Sequence, residues 1–358
     1  MDKIKTQIHA TNINGLGASQ VALSFLQASS FLGVLENSTI FLPKDSVICN
    51  FNNDGARIKI YKRILPNSIS RFVECFFSSF IFSNVPTIVL GDIPLRGIYN
   101  QVVLVHQSNL VYPKINKFSG RSFKFRINRF LFLINHKYAK NIVVQTGAIA
   151  EEMIKSYPGI KDKVVVIPQP VPNWLIKDKV ISSVNKSVIN LFYPSAFYPH
   201  KRHDFLLKIN EYCWKKNIHN NFEIWLTLND EEFEPFKHIS FLKNLGRLST
   251  KQMNEYYKKT DALLFISSME SYGLPLIESL TIDLPIIVAD FNYSRWMCEN
   301  SVYYFEPYDE KSFLKTINTF ISNHRLGHKV DYTKVLEKFP ISWENVVSSF
   351  YDLLLNKS

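Results

Sequence analysis

Long apolar runs and paired cysteines are both missing from this chain of 358 residues. No run of about eighteen apolar residues occurs, so no membrane-spanning helix is expected. The N-terminus also lacks the apolar stretch of a signal peptide. No two cysteines form a Cys-x-x-Cys pair, which argues against a disulfide framework or a zinc site (Cys49, Cys75, Cys213 and Cys298). Free thiols in a chain without a leader predict a cytoplasmic protein.

Carboxylates are absent from one long stretch of a chain whose net charge is +11. Between Ile93 and Ala150 there is no Asp or Glu. Basic and aromatic residues on a helix, here expected from Arg121 to Tyr138, are typical of an element that lies on an anionic membrane surface. RNA binding and a solvated helix with core phenylalanines are alternatives, but no RNA-binding motif accompanies the stretch. It contains Arg96, Lys114, Lys117, Arg121, Lys124, Arg126, Arg129, Lys137 and Lys140, with Phe118, Phe123, Phe125, Phe130 and Phe132 between them.

A complete dinucleotide-binding motif is missing as well. Gly15 and Gly17 follow the first predicted strand, but position 20 is glutamine, so the pattern Gly-x-Gly-x-x-Gly is not formed. This argues against a dinucleotide-dependent oxidoreductase. Two glycines alone predict only a tight turn between a strand and a helix.

Short apolar strands alternate with helical stretches along the whole chain, which predicts a doubly wound α/β architecture. The length suits two domains, which we place at 1–172 and 185–340, followed by a terminal helix at 341–358. Three prolines, at 168, 170 and 172, break the pattern and open a linker that extends to about residue 185. Local predictions include helices at Gln20–Leu32 and Ser68–Phe82, a strand at Ile239–Leu242, a solvated loop at Asp230–Glu234 and a capping box at Ser249–Gln252.

The most informative block contains two glutamates eight residues apart, Glu270 and Glu278. Ala262–Ile266 before it has the length of a buried strand. Gly273 allows close backbone approach, and Pro275 suits the first turn of a helix. Such a helix directs free N–H groups and its positive dipole end at an anion. The block therefore predicts a site that binds phosphates through the backbone and sugar hydroxyls through carboxylates; the alternative is a surface helix with solvated carboxylates.

The segment Glu270-Ser-Tyr-Gly-Leu-Pro-Leu-Ile-Glu278 resembles the E-x7-E signature of retaining glycosyltransferases with the GT-B fold, most closely glycosyltransferase family 4. The Gly246-Arg247 turn before it and the predicted strand Leu284–Ala289 after it fit the same domain. The resemblance implies two Rossmann-like domains that face a central cleft, with a C-terminal helix that crosses back to the first domain.

The resemblance also implies roles for individual residues. Glu270 would hold sugar hydroxyls and Glu278 the nucleotide ribose. Contacts to the donor nucleotide are implied for five further positions: Gly273, Leu274, Arg247, Gly15 and Gly17. His106 ends a predicted strand where the family often places a histidine near the donor sugar, frequently followed by an aspartate; here Gln107 and Ser108 follow, and a packed histidine is the alternative.

The loop after the strand at 188–194 resembles the family's Gly-Arg-x-x-x-x-Lys-Gly loop. Lys201 matches the lysine that binds the donor diphosphate. Ser195 and Ala196 stand where the family has glycine and arginine. Since a phosphate site needs positive charge more than one fixed side chain, Arg202 or His200 is expected to compensate.

The implied activity is transfer of a hexose or related sugar from a nucleotide-diphosphate donor to an acceptor hydroxyl, with no cofactor and no essential metal. The expected acceptor is a lipid-linked glycan in bacterial surface-polysaccharide assembly (O-antigen, lipopolysaccharide or capsule), at the inner face of the cell membrane. Nucleic acid is not an expected partner. The alternatives are a GT-B sugar-nucleotide epimerase and a catalytically silent nucleotide-sugar-binding or membrane scaffold protein, the latter favoured by the loss of arginine at Ala196.

Overall fold

The computed structural model describes residues 5–13, 15–62, 67–111, 122–171, 174–175, 187–218 and 220–355. The chain divides into two compact units. Unit 1 is formed by Met1–Pro170 together with Phe339–Ser358, and unit 2 by Val171–Lys338. Most of the predicted linker, together with Lys114, Lys117, Phe118 and Arg121 of the acid-free stretch, lies outside the described residues.

Unit 1 is built on a parallel sheet, which has seven strands among the described residues. The strands are β1 Gln7–His9, β2 Thr39–Pro43, β3 Arg57–Tyr61, β4 Thr87–Val89, β5 Gln101–Val105, β6 Asn141–Val144 and β7 Val164–Val166. Their order in the sheet is β3-β2-β1-β4-β5-β6-β7. Each pair of neighbours is parallel. Strands β1, β4 and β5 are buried throughout, as expected where helices cover both faces of a parallel sheet.

The first helices of unit 1 correct two predictions. They are α1 Leu16–Phe31, α2 Asn67–Phe76, α3 Ser78–Ile81, α4 Ser122–Asn135 and α5 Gly147–Ser156. The predicted continuous helix Ser68–Phe82 is wrong, because the backbone of Phe77 (φ −104°, ψ 25°) interrupts it. Helix α1 starts before the predicted Gln20, because Gly15 at φ 95° serves as its N-cap. Gly17 therefore lies in the first helical turn and not in the loop. Among the described residues, no helix is both long and apolar enough to cross a bilayer.

Unit 2 contains a second parallel sheet, with six strands among the described residues. The strands are β8 Ile189–Tyr193, β9 Phe222–Leu226, β10 Leu242–Asn244, β11 Ala262–Phe265, β12 Ile286–Ala289 and β13 Tyr303–Phe305. Their order is β10-β9-β8-β11-β12-β13. The helices are α6 Asp204–Lys216, α7 Asp230–Phe233, α8 Thr250–Lys259, α9 Leu274–Thr281, α10 Asn292–Cys298, α11 Glu310–Arg325 and α12 Thr333–Leu336.

Three local predictions for unit 2 have different outcomes. The capping box of α8 is confirmed, since Ser249 and Gln252 exchange side-chain and backbone hydrogen bonds. The predicted solvated loop at Asp230–Glu234 is wrong, because a capping box at Asn229 starts the short helix α7 there. The predicted strand Ile239–Leu242 is displaced toward the C-terminus, since the N–H of Ile239 closes a turn onto the Phe236 carbonyl oxygen.

The terminal helix α13, Trp343–Leu355, follows unit 2 in sequence but packs in the core of unit 1. The rings of Phe350 and of Phe25 on α1 meet edge to face, with their centroids 5.1 Å apart. The hydroxyl of Tyr351 donates a hydrogen bond to the Val34 carbonyl oxygen at 3.4 Å. The expected return of the terminal helix to the first domain is therefore confirmed.

Each sheet has one point at which the strand order reverses, between β1 and β4 in unit 1 and between β8 and β11 in unit 2. In doubly wound sheets, ligands bind outside the carboxyl ends of the strands at this point. In unit 2 the loops that leave β8 and β11 carry Lys201 and Glu270 respectively. The fold thus brings two residues 69 positions apart to one edge of the sheet.

Candidate functional site

The loops that follow β8 and β11 are joined by the carbonyl group of His200. Its oxygen accepts a hydrogen bond from the N–H of Ser268 at 2.7 Å. It also accepts from the hydroxyls of Ser267 and Ser268, each at 3.1 Å. These contacts fix the residue after His200, which is Lys201, against the segment that leads to Glu270.

Lys201 and Glu270 form an ion pair, with 2.5 Å between Nζ and Oε1. Only 14% of the lysine side chain and 12% of the glutamate side chain are exposed. Two further contacts hold Lys201. The Tyr193 hydroxyl donates to its carbonyl oxygen, and its ammonium lies 5.4 Å from the Phe265 ring centroid. Burial alone would raise the pKa of Glu270, but the nearby charge of Lys201 outweighs it and holds this pKa below its ordinary value. Glu270 is therefore a carboxylate at neutral pH.

The two histidines of the same loop do not supply positive charge at neutral pH. Burial lowers the pKa of His200, and the nearby Lys201 lowers it further against the opposing effect of Glu270. Burial and Lys201 together lower the pKa of His203 to about 4. The Nε2 of His203 lies 2.9 Å from the hydroxyl of Ser195, the residue that stands in place of the family's glycine. His200 is therefore mainly neutral in the free protein, and its compensation for the missing arginine stays a prediction.

Arg202 is positively charged, but its guanidinium pairs with a neighbouring carboxylate. Its guanidinium donates two hydrogen bonds to the carboxylate of Asp204, at 2.9 and 2.8 Å. Its Cζ lies 4.2 Å from the centroid of the Tyr308 ring. The backbone of Arg202 is left-handed, at φ 55°, and the residue joins the loop to α6. Arg202 thus lies beside Lys201 in the sequence, with its side chain engaged by Asp204 and Tyr308.

The N-terminal end of α9 has the geometry that the signature predicts for an anion site. Gly273 is the N-cap, at φ 86°, and a Cβ there would come within 3.2 Å of Leu276 Cδ1. Pro275 supplies no N–H, and the N–H of Leu276 donates to the Gly273 carbonyl oxygen at 2.9 Å. The amides of Gly273 and Leu274 are therefore the candidate donors at this end of the helix.

Glu278 is buried inside unit 2, with 4% of its surface exposed. Its Oε2 accepts a hydrogen bond from the hydroxyl of Tyr257 at 2.5 Å. Burial raises the pKa of this carboxyl to about 7, although the Tyr257 hydrogen bond acts in the opposite direction. Glu278 is therefore not a solvated carboxylate on a surface helix, which was the alternative drawn from the sequence.

Arg247 lies in the Gly246 turn after β10 and pairs with a residue that the sequence analysis placed in a solvated loop. Its Nη2 atom lies 2.8 and 2.5 Å from the two carboxylate oxygens of Glu232 on α7. Its Nη1 atom donates to the Thr227 carbonyl oxygen at 3.2 Å. The arginine side chain is nevertheless 44% exposed, so it has room to contact a ligand.

In unit 1, His106 lies at the carboxyl end of β5 and is held by a carboxylate that comes from the neighbouring strand. The Oδ1 atom of Asp92 accepts from the backbone N–H of His106 at 2.8 Å and of Gln107 at 2.9 Å. The Nη2 atom of Arg71 lies 3.6 Å from the other oxygen of Asp92 and donates to the Gly91 carbonyl oxygen at 2.9 Å. A carboxylate fourteen positions earlier in the sequence thus holds the backbone turn that begins at His106.

Gly15 and Gly17, the remaining predicted residues, lie at the start of α1 in unit 1. Both are exposed, and a Cβ on Gly15 would meet no atom within 4 Å. The positive φ of Gly15 therefore explains this glycine through its backbone conformation and not through a close neighbour.

Several residues that were not predicted from the sequence contact the candidate residues, among them Tyr257, Asp92 and Glu232. None of these three stands in a motif beside its partner, since they are separated from Glu278, His106 and Arg247 by 21, 14 and 15 positions. A sequence signal existed only for Asp92, which follows a predicted strand at the end where α/β ligands bind.

Comparison with known proteins identifies the second half of the chain. Residues 177–334 match the family model described as glycosyl transferases group 1. The O-antigen chain mannosyltransferase RfbU of Salmonella typhimurium is 25% identical over 197 residues, which cover 53% of each protein. A probable sucrose-phosphate synthase of Thermosipho melanesiensis is 24% identical over 237 residues, covering 61% of this chain and 55% of that protein. The matched regions thus span about half the length of these relatives.

The fold is shared more widely than the sequence. The crystal structure of WaaG, a glycosyltransferase involved in lipopolysaccharide biosynthesis, superposes with a TM-score of 0.70 at 11% identity. The match covers 99% of this chain and all of WaaG. Together with the two parallel sheets, these matches confirm the resemblance to GT-B glycosyltransferases. The chain therefore has the GT-B glycosyltransferase fold, and its residues 177–334 match the glycosyl transferases group 1 family model.

Proposed function

We propose that the protein transfers a sugar from a nucleotide-diphosphate donor to an acceptor hydroxyl and retains the anomeric configuration. The observation that carries the proposal is the Lys201–Glu270 pair at the point where the strand order of unit 2 reverses. A cation for a diphosphate and a carboxylate for sugar hydroxyls are held within 2.5 Å of each other, next to the N-terminal end of α9. A nucleotide sugar presents those two chemical groups side by side.

Each residue has a proposed task in this reaction. The leaving group is a nucleoside diphosphate, so the site must stabilise negative charge as the glycosidic bond breaks. Lys201 and the amides of Gly273 and Leu274 would provide this electrostatically. Glu270 would bind sugar hydroxyls and orient the anomeric carbon, and Glu278 would accept hydrogen bonds from the ribose. His106 of unit 1 retains its proposed place near the donor sugar, on the strength of the resemblance.

The proposed mechanism needs no protein nucleophile and no metal ion. The departing phosphate would accept the proton of the attacking acceptor hydroxyl on the same face of the sugar, which preserves the anomeric configuration. The charge that a metal ion would neutralise is instead met by Lys201 and the helix terminus. Activity that survives exhaustive treatment with EDTA would support this part of the proposal, and loss that is restored by a divalent cation would contradict it.

The proposed acceptor is a lipid-linked glycan used in bacterial surface-polysaccharide assembly. The matched relative RfbU is described as an O-antigen chain mannosyltransferase, and WaaG as a lipopolysaccharide enzyme. A sugar acceptor on a lipid carrier would require the enzyme to work at a membrane surface.

Two neighbouring helices of unit 1 are suited to such a surface. On α4 and the turn after it, Arg126, Phe130, Leu133 and Lys137 recur at helical spacing and are exposed, the two apolar residues by 53% and 54%. The sequence of α2 contains one carboxylate, Glu74, which is fully buried, and that of α4 contains none. We call the four exposed residues the α4 face and propose that it docks on an anionic membrane.

Exposed phenylalanines on α2, on α3 and at the residue between them extend the apolar area that unit 1 offers. The exposed fraction of the residue surface is 36% for Phe72, 43% for Phe77 and 88% for Phe80. The guanidinium of Arg96 lies 4.1 Å above the ring of Phe76, so a cation accompanies the aromatic cluster here too. Cys75 and Leu131 join α2 and α4 through a small shared core, which keeps the two helices adjacent.

The deciding experiment for the activity is incubation of the purified chain with a panel of radiolabelled nucleotide sugars, with and without membrane lipid extracts. Transfer or slow hydrolysis of one donor would support the proposal, and NMR of the product would report its anomeric configuration. Interconversion of the donor sugar would favour the epimerase alternative. Binding without turnover of any donor would favour a silent nucleotide-sugar-binding protein.

A further inference from the structure

The hydrogen bond between Tyr257 and Glu278 joins two residues that are both removed from solvent. Tyr257 is fully buried and Glu278 is 4% exposed, and the Tyr257 hydroxyl donates to Oε2 at 2.5 Å. A buried carboxyl group in such a place is costly unless it is hydrogen-bonded. Tyr257 thus determines where one oxygen of the signature's second glutamate lies.

Tyr257 is itself held in place by the core of unit 2. Its helix, α8, starts at the Ser249–Gln252 capping box. Its ring meets the ring of Phe192 on β8 edge to face, with 5.2 Å between centroids. Strand β8 is the strand that leads to the Lys201 loop. The hydroxyl position is therefore set by the same sheet that positions Lys201.

We propose that Tyr257 is a positioning residue of the donor site, whose hydroxyl orients the carboxylate of Glu278 toward the ribose hydroxyls of a nucleoside diphosphate. The inference rests on the proposed function, in which Glu278 binds the ribose. A carboxylate accepts hydrogen bonds at both oxygens, so one donor from Tyr257 leaves acceptor capacity for a ribose diol.

The protonation state of Glu278 links this geometry to a measurable property. An ionised carboxylate accepts hydrogen bonds from a diol far better than a protonated carboxyl does. Burial raises the pKa of Glu278 to about 7, and the Tyr257 hydrogen bond counteracts that rise. The helices packed against α9 carry other charged or titratable groups, namely Tyr293, Arg295 and Cys298 of α10 and Lys334 of α12. Among the side chains of the described residues, the one whose interaction shifts the pKa of Glu278 is Tyr257. Loss of the hydroxyl is therefore expected to favour the protonated, poorly accepting form near neutral pH.

The test compares nucleotide affinity of the full chain and the Tyr257→Phe variant by calorimetry from pH 6 to pH 9. UDP, GDP and ADP are screened first, and the tightest is used together with its 2′,3′-dideoxy analogue. We expect roughly tenfold weaker binding of the ribonucleotide at pH 7, in line with the strength of hydrogen bonds to charged groups. The deficit should shrink as the pH rises, so the variant's binding curve is displaced to higher pH. Binding of the dideoxy analogue should change little.

Tyr256→Phe is the matched control, because it makes the same substitution one position earlier. Tyr256 packs on Phe192 and on Trp225, with centroid distances of 6.1 and 5.7 Å, and is partly exposed. The Tyr256→Phe variant should bind nucleotide as the wild type does at every pH. If Tyr257→Phe does not fold, 3-fluorotyrosine at position 257 makes the hydroxyl a stronger donor and should displace the curve to lower pH.

Two results would overturn the inference. A Tyr257→Phe variant that weakens both nucleotides equally at every pH would show that the hydroxyl serves only the fold. A variant that binds as the wild type does would show that the hydroxyl is dispensable. Failure of the proposed function is recognised separately: a Glu278→Gln variant that retains the preference for ribonucleotide over the dideoxy analogue would remove the ribose role of Glu278 itself.

Discussion

The ammonium group of Lys201 and the carboxylate of Glu270 neutralise each other at a distance of 2.5 Å, although both are proposed to bind the donor. A diphosphate that approaches Lys201 must compete with Glu270, and a sugar hydroxyl that approaches Glu270 must compete with Lys201. Under the proposed function, a nucleotide sugar would satisfy both residues at once, whereas a free sugar or a free phosphate would satisfy one of them. The pair would therefore favour the complete donor over its separate parts.

Lys201→Ala should reduce turnover on the order of a hundredfold, comparable with loss of one transition-state hydrogen-bond donor. Because Lys201 and Glu270 act as a unit, Lys201→Ala/Glu270→Gln should be much less impaired than the product of the two single effects. Initial rates with the identified donor measure all three variants. Lys208→Ala, an exposed lysine on α6, is the control and should retain wild-type rates. Strictly multiplicative losses would show that the two residues act independently.

Glu278→Gln should stabilise the protein at high pH and leave its stability unchanged at low pH. The pKa of Glu278 is about 7 in the folded protein, above that of an unfolded glutamate, so the folded state binds the extra proton. Wild-type stability from this group is therefore present below the unfolded pKa and is lost as the pH rises through 7. The amide cannot ionise, so the free energy of unfolding at pH 8 should rise by up to about 3 kcal/mol relative to wild type.

Urea unfolding of both proteins at pH 5 and pH 8 measures this difference. Glu255→Gln, on the exposed side of α8, is the matched control and should show no such pH dependence. Equal effects of Glu278→Gln at the two pH values would contradict a raised pKa. If the proposed function also holds, the stabilised variant should bind nucleotide more weakly.

Asp92→Gly should loosen the turn that follows β5, whereas Asp92→Asn should preserve it. Asp92 has a positive φ of 69°, a conformation that glycine and asparagine both tolerate, so neither substitution strains the backbone. The amide oxygen of asparagine can still accept from the N–H groups of His106 and Gln107, and glycine cannot. We expect at least about tenfold faster hydrogen exchange at these two amides in Asp92→Gly, and a stability loss of roughly 2 kcal/mol. Unchanged protection would mean that the carboxylate does not hold this turn.

Reversal of charge on the α4 face should abolish membrane docking. Arg126→Glu/Lys137→Glu removes two cations, each worth about 1 kcal/mol near an anionic surface, and adds repulsion. Co-sedimentation with vesicles of phosphatidylcholine alone or with phosphatidylglycerol, at low and high salt, measures the effect. Wild type should bind only the anionic vesicles, and high salt should release it because exposed charges are screened beyond about 8 Å at physiological ionic strength.

The control for docking makes the same change of charge in unit 2, at Lys215 and Lys216 near the end of α6, both of which are exposed. Lys215→Glu/Lys216→Glu should bind anionic vesicles as the wild type does. Equal loss in both double variants would indicate attraction by net charge alone. Equal binding of wild type to neutral and anionic vesicles, or none to either, would remove the docking proposal.

The sequence was sufficient for features that depend on short-range patterns. The spacing of Glu270, Gly273 and Glu278 predicted a strand, a turn and a helix, because each of these elements is specified within a few residues. The capping box at Ser249–Gln252 was predictable for the same reason. Alternation of apolar strands with helices was enough for the two doubly wound sheets.

What the sequence did not predict depends on contacts between distant segments. Glu232 and Arg247 pair because α7 and the turn after β10 lie next to each other, which neither local pattern contains. The environment of Glu278 on α9 depends on α8, which carries its hydrogen-bond partner Tyr257. The interruption at Phe77 was missed because apolar residues continue on both sides of it, and apolar periodicity does not reveal where a helix ends.

The position of α13 has a consequence for biosynthesis. The core of unit 1 needs Phe350 and Leu354, which a ribosome adds only after all of unit 2 has been made. Until then, Phe25 and Leu26 on α1 lack part of their apolar cover, so the nascent first half of the chain exposes a surface that chaperones recognise. A stop codon that removes α13 should therefore cause aggregation of the entire protein, even though every residue of the donor site would still be translated.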